Sequence, residues 1–233
     1  MSKTIRWIII AVLVVAIAGL MLFNALKPVD HSDAIWDEGT TLGSKDAKNY
    51  YIFYTDLACP YCDVFSRLII ENEEAFMNDY IIGKDILYEV RVTDFLYEFG
   101  EHKPDMSRWS AEATYCARDE GKFWEYYKAA IMALYNDYHS KGIGSSKTAP
   151  MIEGMTADYW LEIGHKIGLG DQFDSCFNEH KMLDEVVSNA NKAAKQVEGG
   201  LPYFKFNSLK TSGFDSSWDW SYVEKMLNLG LSK

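Results

Sequence analysis

Positive charge is scarce in this chain, and its few histidines form no pattern. Against 34 acidic residues stand 23 Lys and Arg, a net charge of −11 over 233 residues. Three of those cations, and no acid, lie in the first 27 residues, so the remainder carries 20 cations against 34 acids, net −14. Such an acidic exterior argues against nucleic-acid binding and against a further docking surface for anionic lipid. His31, His102, His139, His165 and His180 show no metal-ligand spacing, so no metal centre is expected. No internal repeat is present. Cysteine is sparse as well: four residues, all beyond the first 27, an even set that permits three connectivities. Apolar residues are plentiful, at 48% hydrophobic and 15% aromatic. That suffices for one sizeable core and argues against disorder.

The first 27 residues stand apart. Lys3 and Arg6 precede an uncharged run from Trp7 to Leu26, broken only by the polar Asn24. Twenty helical residues span about 30 Å, the thickness of a bilayer core. A cleaved signal peptide is the alternative, with Ala16-Ile17-Ala18 as a small-residue cleavage site. The apolar run continues past it through Leu20, Met21, Leu22 and Phe23, too long for a signal core, so an uncleaved anchor over residues 1–27 is expected. Lys3 and Arg6 hold its N-terminus in the cytoplasm, although Lys27 weakens the asymmetry. The expected location is therefore the cell membrane, single-pass, with residues 28–233 extracytoplasmic.

The rest is organised around Tyr50 to Arg67. Tyr50 to Thr55 is a strand-length run of aromatic and β-branched residues, apolar on both faces, as in a central strand covered on both sides. Cys59 and Cys62 follow, with Pro60 and Tyr61 between them. Beyond them Val64, Phe65, Leu68, Ile69, Asn72, Ala75 and Phe76 recur at helical steps. Pro60 falls at the first helical position, where its missing N–H costs nothing. Cys59 thus sits at a helix N-terminus, where free N–H groups and the helix dipole favour a thiolate. In comparable C-x-x-C sites the thiol pKa falls from about 8.5 to about 3.5–7.5. Cys62 lies one turn deeper. An accessible attacking sulfur backed by a buried resolving one is the layout of a thiol–disulfide exchanger. C-x-x-C also occurs as half of a zinc site or a structural disulfide. A strand running straight in and a helix straight out favours exchange.

Along the chain, 27–33 reads as a linker, 34–42 as a short first strand and 86–92 as a strand parallel to 50–55. The cysteine helix is expected to run to about Asp79. Helical blocks follow, with Thr156, Asp171 and Ser216 or Ser217 as N-caps, a helix over 181–197 and a flexible loop over 139–150. Pro202 opens a strand through Asn207, a position where proline is tolerated and where a tight turn can make it cis. A short antiparallel partner over 210–214 and a helix over 218–229 close the chain.

Cys59-Pro60-Tyr61-Cys62 after a strand, then a helical insertion, then Gly200-Leu201-Pro202-Tyr203-Phe204 resembles the DsbA-like branch of the thioredoxin superfamily, in a membrane-anchored bacterial form. The likeness covers about residues 36–229 and includes the surroundings of Cys116 and Cys176. It implies a thioredoxin-like α/β fold with an α-helical insertion at about 93–180. By the same resemblance Cys59 attacks, Cys62 resolves, and a cis Pro202 faces the active sulfur. The backbone of Leu201 pairs with a substrate peptide, while Pro60 and Tyr61 contact it, Tyr61 tuning the potential. Cys116 and Cys176 read alone as two buried thiols on apolar helix faces. The resemblance makes them a structural disulfide, worth about 4 kcal/mol on the chain-entropy model for a loop of about 60 residues. No organic cofactor is implied. The implied partners are unfolded or exported protein substrates and a membrane quinone-linked thiol oxidase of the DsbB or vitamin K epoxide reductase type.

Three features depart from the family pattern. Leu201 stands where Thr or Val is common, and Ser208 follows Asn207 where glycine is usual. Phe53 occupies the position, six residues before the first cysteine, where many relatives bury a carboxylate. Thiolate stabilisation of Cys59 at the helix N-terminus points to net oxidation of substrates, and the lack of a carboxylate beneath the motif to oppose the thiolate helps that expectation. The rival readings are a reductase or isomerase, a redox-inert peptide-binding chaperone on the same fold, and a structural zinc protein.

Overall fold

The structure, a computed structural model, describes residues 3–25, 34–100, 105–141, 143, 154–213, 215 and 217–231. Helix α1 occupies Lys3–Ala25. Among the described residues no helix is long and apolar enough to cross a membrane. The anchor expected over 1–27 depends partly on side chains outside the described residues, as does the 139–150 loop on its chain. The linker expected over 27–33 lies outside them altogether.

Five strands form one mixed sheet, in the order β1-β3-β2-β4-β5. They are β1 (Thr41–Leu42), β2 (Asn49–Thr55), β3 (Ile86–Val92), β4 (Tyr203–Phe206) and β5 (Leu209–Ser212). The pair β2–β3 is parallel, with Phe53 opposite Val90, and β2–β4 is antiparallel, with Phe53 opposite Phe204. Central β2 is buried on both faces, which is what its unbroken apolar run requires. Strand alternation sends Tyr51 and Phe53 into one core with Phe65, Phe204, Phe206 and Val223. Tyr50, Ile52 and Tyr54 enter a second core with Leu87, Ala193 and Tyr203.

The parallel crossover from β2 to β3 runs through α2 (Pro60–Glu71) and α3 (Glu73–Ala75). It does not stay one α-helix to Asp79. The Asn72 side chain donates to the Leu68 carbonyl at 2.9 Å, competing with the helical ladder, and a π-helix over Phe76–Ile82 completes the crossover. The first strand is also shorter than expected. Asp37 caps a 3-10 turn by accepting from Gly39 N at 2.8 Å, leaving only Thr41 and Leu42 to pair with β3.

Between β3 and β4 lie α4 (Phe95–Phe99), α5 (Asp105–Asp119), α6 (Phe123–Asp137), α7 (Ala157–Lys166), α8 (Asp171–Asn178) and α9 (Leu183–Ala194). Thr156 is the N-cap of α7 by backbone geometry, without a side-chain cap bond. Gly170, not Asp171, precedes α8, and α9 starts two residues later than expected. Helix α10 (Trp220–Leu231) ends the described chain. Its first turn is held by Asp219, which accepts from Tyr222 N at 3.1 Å, and not by Ser217; Ser216 lies outside the described residues, as does Phe214 at the end of the expected last strand.

The second core hides a polar cluster. Glu89 and Arg91, two apart on β3, both face it and pair at 2.6 Å, almost fully buried. Glu89 accepts from Trp36 N and Tyr50 OH, and Arg91 donates to Tyr54 OH and to the Ala34 carbonyl. Removing one member would leave a buried uncompensated charge. The pair therefore ties the segment before β1 to the sheet.

Candidate active site

Strand β2 delivers the chain to the site and α2 carries it away. After Thr55 the backbone turns, Cys59 N donating to the Asp56 carbonyl at 2.9 Å. Cys59 is the N-cap of α2 in extended conformation (φ −88°, ψ 111°), with Pro60 at the first helical position. Asp63 N donates to the Cys59 carbonyl at 3.1 Å and closes the first turn. Cys59 is 5% exposed and Cys62 is fully buried, and both are free thiols.

The turn before Pro202 reaches this sulfur through the Leu201 carbonyl. Gly199 and Gly200 take φ of +89° and +118°, conformations that a side chain disfavours, and the Leu201–Pro202 peptide that follows is cis. The turn sets the Leu201 carbonyl 3.9 Å from Cys59 Sγ. Thus Cys59, Cys62, Leu201 and Pro202 meet at one place, with Pro60 and Tyr61 half-buried on the first turn of α2.

Beneath the motif there is a buried carboxylate, contrary to the inference drawn from Phe53. Asp56 is fully buried. Its oxygens accept from Ala58 N at 2.8 Å, Leu96 N at 2.9 Å and Ser107 Oγ at 2.6 Å. Burial nonetheless pushes its pKa up to about 6, three hydrogen bonds opposing. The Cys62 thiol is pushed well up, by burial first, then by Cys59 and by the Asp56 carboxylate, with the Asp56 backbone N–H opposing. Cys62 therefore holds its proton firmly. Phe53 was the wrong position to inspect: it points into the first core, stacked on Phe204. The readable signal was Asp56 itself, the one acid between the apolar strand and the first cysteine.

Two further polar contacts surround α2 that the sequence reading missed. Ser66 Oγ donates to the Cys62 carbonyl at 2.8 Å and lies 2.7 Å from Tyr127 OH. His139 Nδ1 lies 2.6 Å from Asp63 Oδ2, with both side chains buried. Nothing in linear spacing joins position 63 to 139 or 66 to 127; only the packing of α2 on α6 does.

Cys116 and Cys176 lie away from this site. They form a disulfide between α5 and α8, with S–S 2.02 Å and Cα atoms 5.8 Å apart. Among the described residues no group of three or more His, Cys, Asp or Glu side chains could hold a metal ion. A four-cysteine zinc site is ruled out directly, because two of the four are bonded to each other.

A thioredoxin family model matches residues 37–212. A Rickettsia felis protein that carries the name protein-disulfide oxidoreductase is 22% identical over 204 residues, 87% of this chain. The chain spans 65% of that relative's length. Among solved structures, BdbD from Bacillus subtilis in its oxidised form superimposes with a TM-score of 0.59 at 17% identity, covering 84% of this chain and 95% of that one. Wolbachia pipientis alpha-DsbA1 gives 0.58 at 17% identity, covering 83% and 90%. At these identities the structures show a shared thioredoxin-like fold.

Proposed function

This chain belongs to the thioredoxin family, and on that premise we propose that it is a thiol–disulfide oxidoreductase that introduces disulfides into exported proteins. The observation that carries the reading is the unequal pair at the start of α2. Cys59, at the helix N-terminus and beside the Leu201 carbonyl, keeps 5% of its surface exposed; Cys62 is fully buried behind it with its proton held.

In the oxidised enzyme a substrate thiolate attacks Cys59 Sγ, and the Cys59–Cys62 bond breaks. Cys62 leaves as thiolate and takes up a proton in its buried site. A second substrate thiolate then attacks the mixed disulfide at the substrate's own sulfur. The substrate disulfide forms, and Cys59 leaves with the electron pair. The carbonyl of half-buried Leu201, beside Cys59, offers a backbone acceptor for an extended substrate segment. The Asp56 carboxylate acts on Cys62, and its raised pKa suits it to exchange that proton near neutrality. The names DsbA1 and protein-disulfide oxidoreductase, borne by similar proteins, support the same chemistry.

One observation favours a second reading. Burial and Asp56 hold Cys62 as a thiol, so the reduced form gains no stabilisation from a Cys62 thiolate, which fits a reductase or isomerase. The two are separated by running oxidative refolding of a reduced substrate beside insulin reduction. The proposal expects faster refolding and little insulin reduction. Brisk insulin reduction, with a potential near the −270 mV of thioredoxin rather than toward the −120 mV of DsbA, would make the protein a reductase.

The apolar first 27 residues support a membrane-tethered enzyme with its domain outside the cytoplasm, recycled by a membrane quinone-linked thiol oxidase. A membrane-impermeant thiol label applied to intact, reduced cells should reach Cys59. Labelling only after lysis would put the domain in the cytoplasm.

A further inference from the structure

Asp63 and His139 take no part in the exchange described above, yet both are buried against the redox helix. Asp63 is fully buried on α2; His139, just beyond the end of α6, is 6% exposed. One carboxylate oxygen meets His139 Nδ1 at 2.6 Å, while the other is buried with no hydrogen-bond partner among the described residues. Burial raises the Asp63 pKa, and His139 first, then Arg67, act to lower it. Arg67 is itself engaged by Glu71 at 2.6 Å and lies over the Tyr135 ring, so His139 is the basic side chain in direct contact.

The position of Asp63 matters more than its burial. It is four residues beyond Cys59, and its backbone N–H closes the first helical turn on the Cys59 carbonyl. Helical residues four apart lie one above the other, and their side chains lean toward the N-terminus. Asp63 thus lies one turn along α2 from the attacking cysteine, joined to it by that backbone bond. Both anions draw on the same positive helix end. An ionised Asp63 opposes a Cys59 thiolate, and a protonated His139 cancels much of that opposition.

We propose that Asp63 and His139 are a positioning pair that sets the reduction potential and nucleophilicity of the Cys59–Cys62 couple, through the charge they hold behind Cys59. The inference rests on the redox reading of that pair. It goes beyond it in giving opposite signs to two residues that make one contact. Asp63→Asn removes the opposing anion, stabilises the reduced form and makes the couple more oxidising. His139→Gln leaves the anion uncompensated and makes it more reducing.

The test is glutathione equilibration of the full-length protein and its variants at about pH 6, below the ordinary imidazole pKa of about 6.5, together with iodoacetamide alkylation rates of Cys59. Near-ultraviolet circular dichroism verifies the fold of each variant. D63N should shift the equilibrium constant about tenfold in the oxidising direction, equivalent to about 30 mV. H139Q should shift it in the opposite direction, and the double variant should track D63N. A merely structural pair would lower stability in both variants and leave the potential and alkylation rate unmoved. That result, or shifts of the same sign, overturns the inference while leaving the exchange reading intact. If D63N does not fold, the shift in H139Q decides alone: toward reducing supports the pair, no shift refutes it. Wild-type protein that fails to equilibrate with glutathione overturns both readings.

Discussion

The molecule holds two pairs of cysteines, and burial does not tell them apart. Cys59 and Cys62 are as hidden as Cys116 and Cys176, all four below 9% exposure. What differs is the surroundings. Cys116 and Cys176 sit 60 residues apart on two packed helices and are joined. The other pair sits three residues apart where a buried strand becomes a helix, within a ring of polar groups: the Leu201 carbonyl, the Asp56 carboxylate with its three donors, and the Ser66–Tyr127 hydroxyls. A sulfur in an apolar interface has nowhere to pass a charge or a proton. A sulfur at a helix N-terminus does. Reactivity here is a property of the polar frame.

The comparison breaks first at the cysteines themselves. Cys59→Ala should abolish exchange, while Cys62→Ala should accumulate mixed disulfides through Cys59, read as non-reducing gel adducts. Equal trapping by the two variants, or trapping by neither, would sink the division of roles. The second pair should behave the opposite way. Replacing Cys116 and Cys176 together with Ala should cost about 4 kcal/mol in denaturant unfolding, as a loop of about 60 residues implies, yet leave exchange at Cys59 in place.

Asp56 sharpens the contrast through pH. Its carboxyl is raised from 3.8 to about 6 in the folded protein, so folding favours the protonated form. That contribution is fully present below pH 3.8 and is lost as pH rises through 6. Two pKa units correspond to about 3 kcal/mol. Asp56→Asn should therefore recover about 3 kcal/mol relative to the parent between pH 4 and pH 7, measured as the difference of two stability–pH curves. Parallel curves would mean that Asp56 does not titrate in this window. The smallest effect concerns the hydroxyls. Tyr127→Phe removes the Ser66 partner and should cost about 1 kcal/mol in chemical unfolding.

Much of this frame was legible before the structure. The two-sided apolar run at Tyr50 to Thr55, Pro60 at a helix start and Pro202 at a strand start fixed the central strand, the redox helix and the turn opposite. Each is a local signal: a residue whose backbone or side chain tolerates few settings. Cys116 and Cys176 paired as the resemblance implied. What could not be read was contact across the helical insertion. Ser107 on α5, Tyr127 on α6 and His139 beyond it each complete a group on α2 or in the turn before it from far along the chain. Asp56 lies at the exit of the apolar strand, where nothing local shows that it is buried. In fact Leu96 N and Ser107, beyond β3, close over it. The Glu89–Arg91 pair was missed for a similar reason, since strand alternation places both on one face without saying that the face is buried.

The most direct test of the contrast is differential alkylation across a series of glutathione redox buffers, with peptide mapping to report each pair in the same sample. The Cys59–Cys62 pair should convert between the potentials of thioredoxin and DsbA, about −270 to −120 mV. Cys116–Cys176 should stay bonded throughout, as structural disulfides do until below about −300 mV. If the two pairs convert together, or Cys116–Cys176 opens first, the polar frame around Cys59 is not what makes one pair reactive and the other inert.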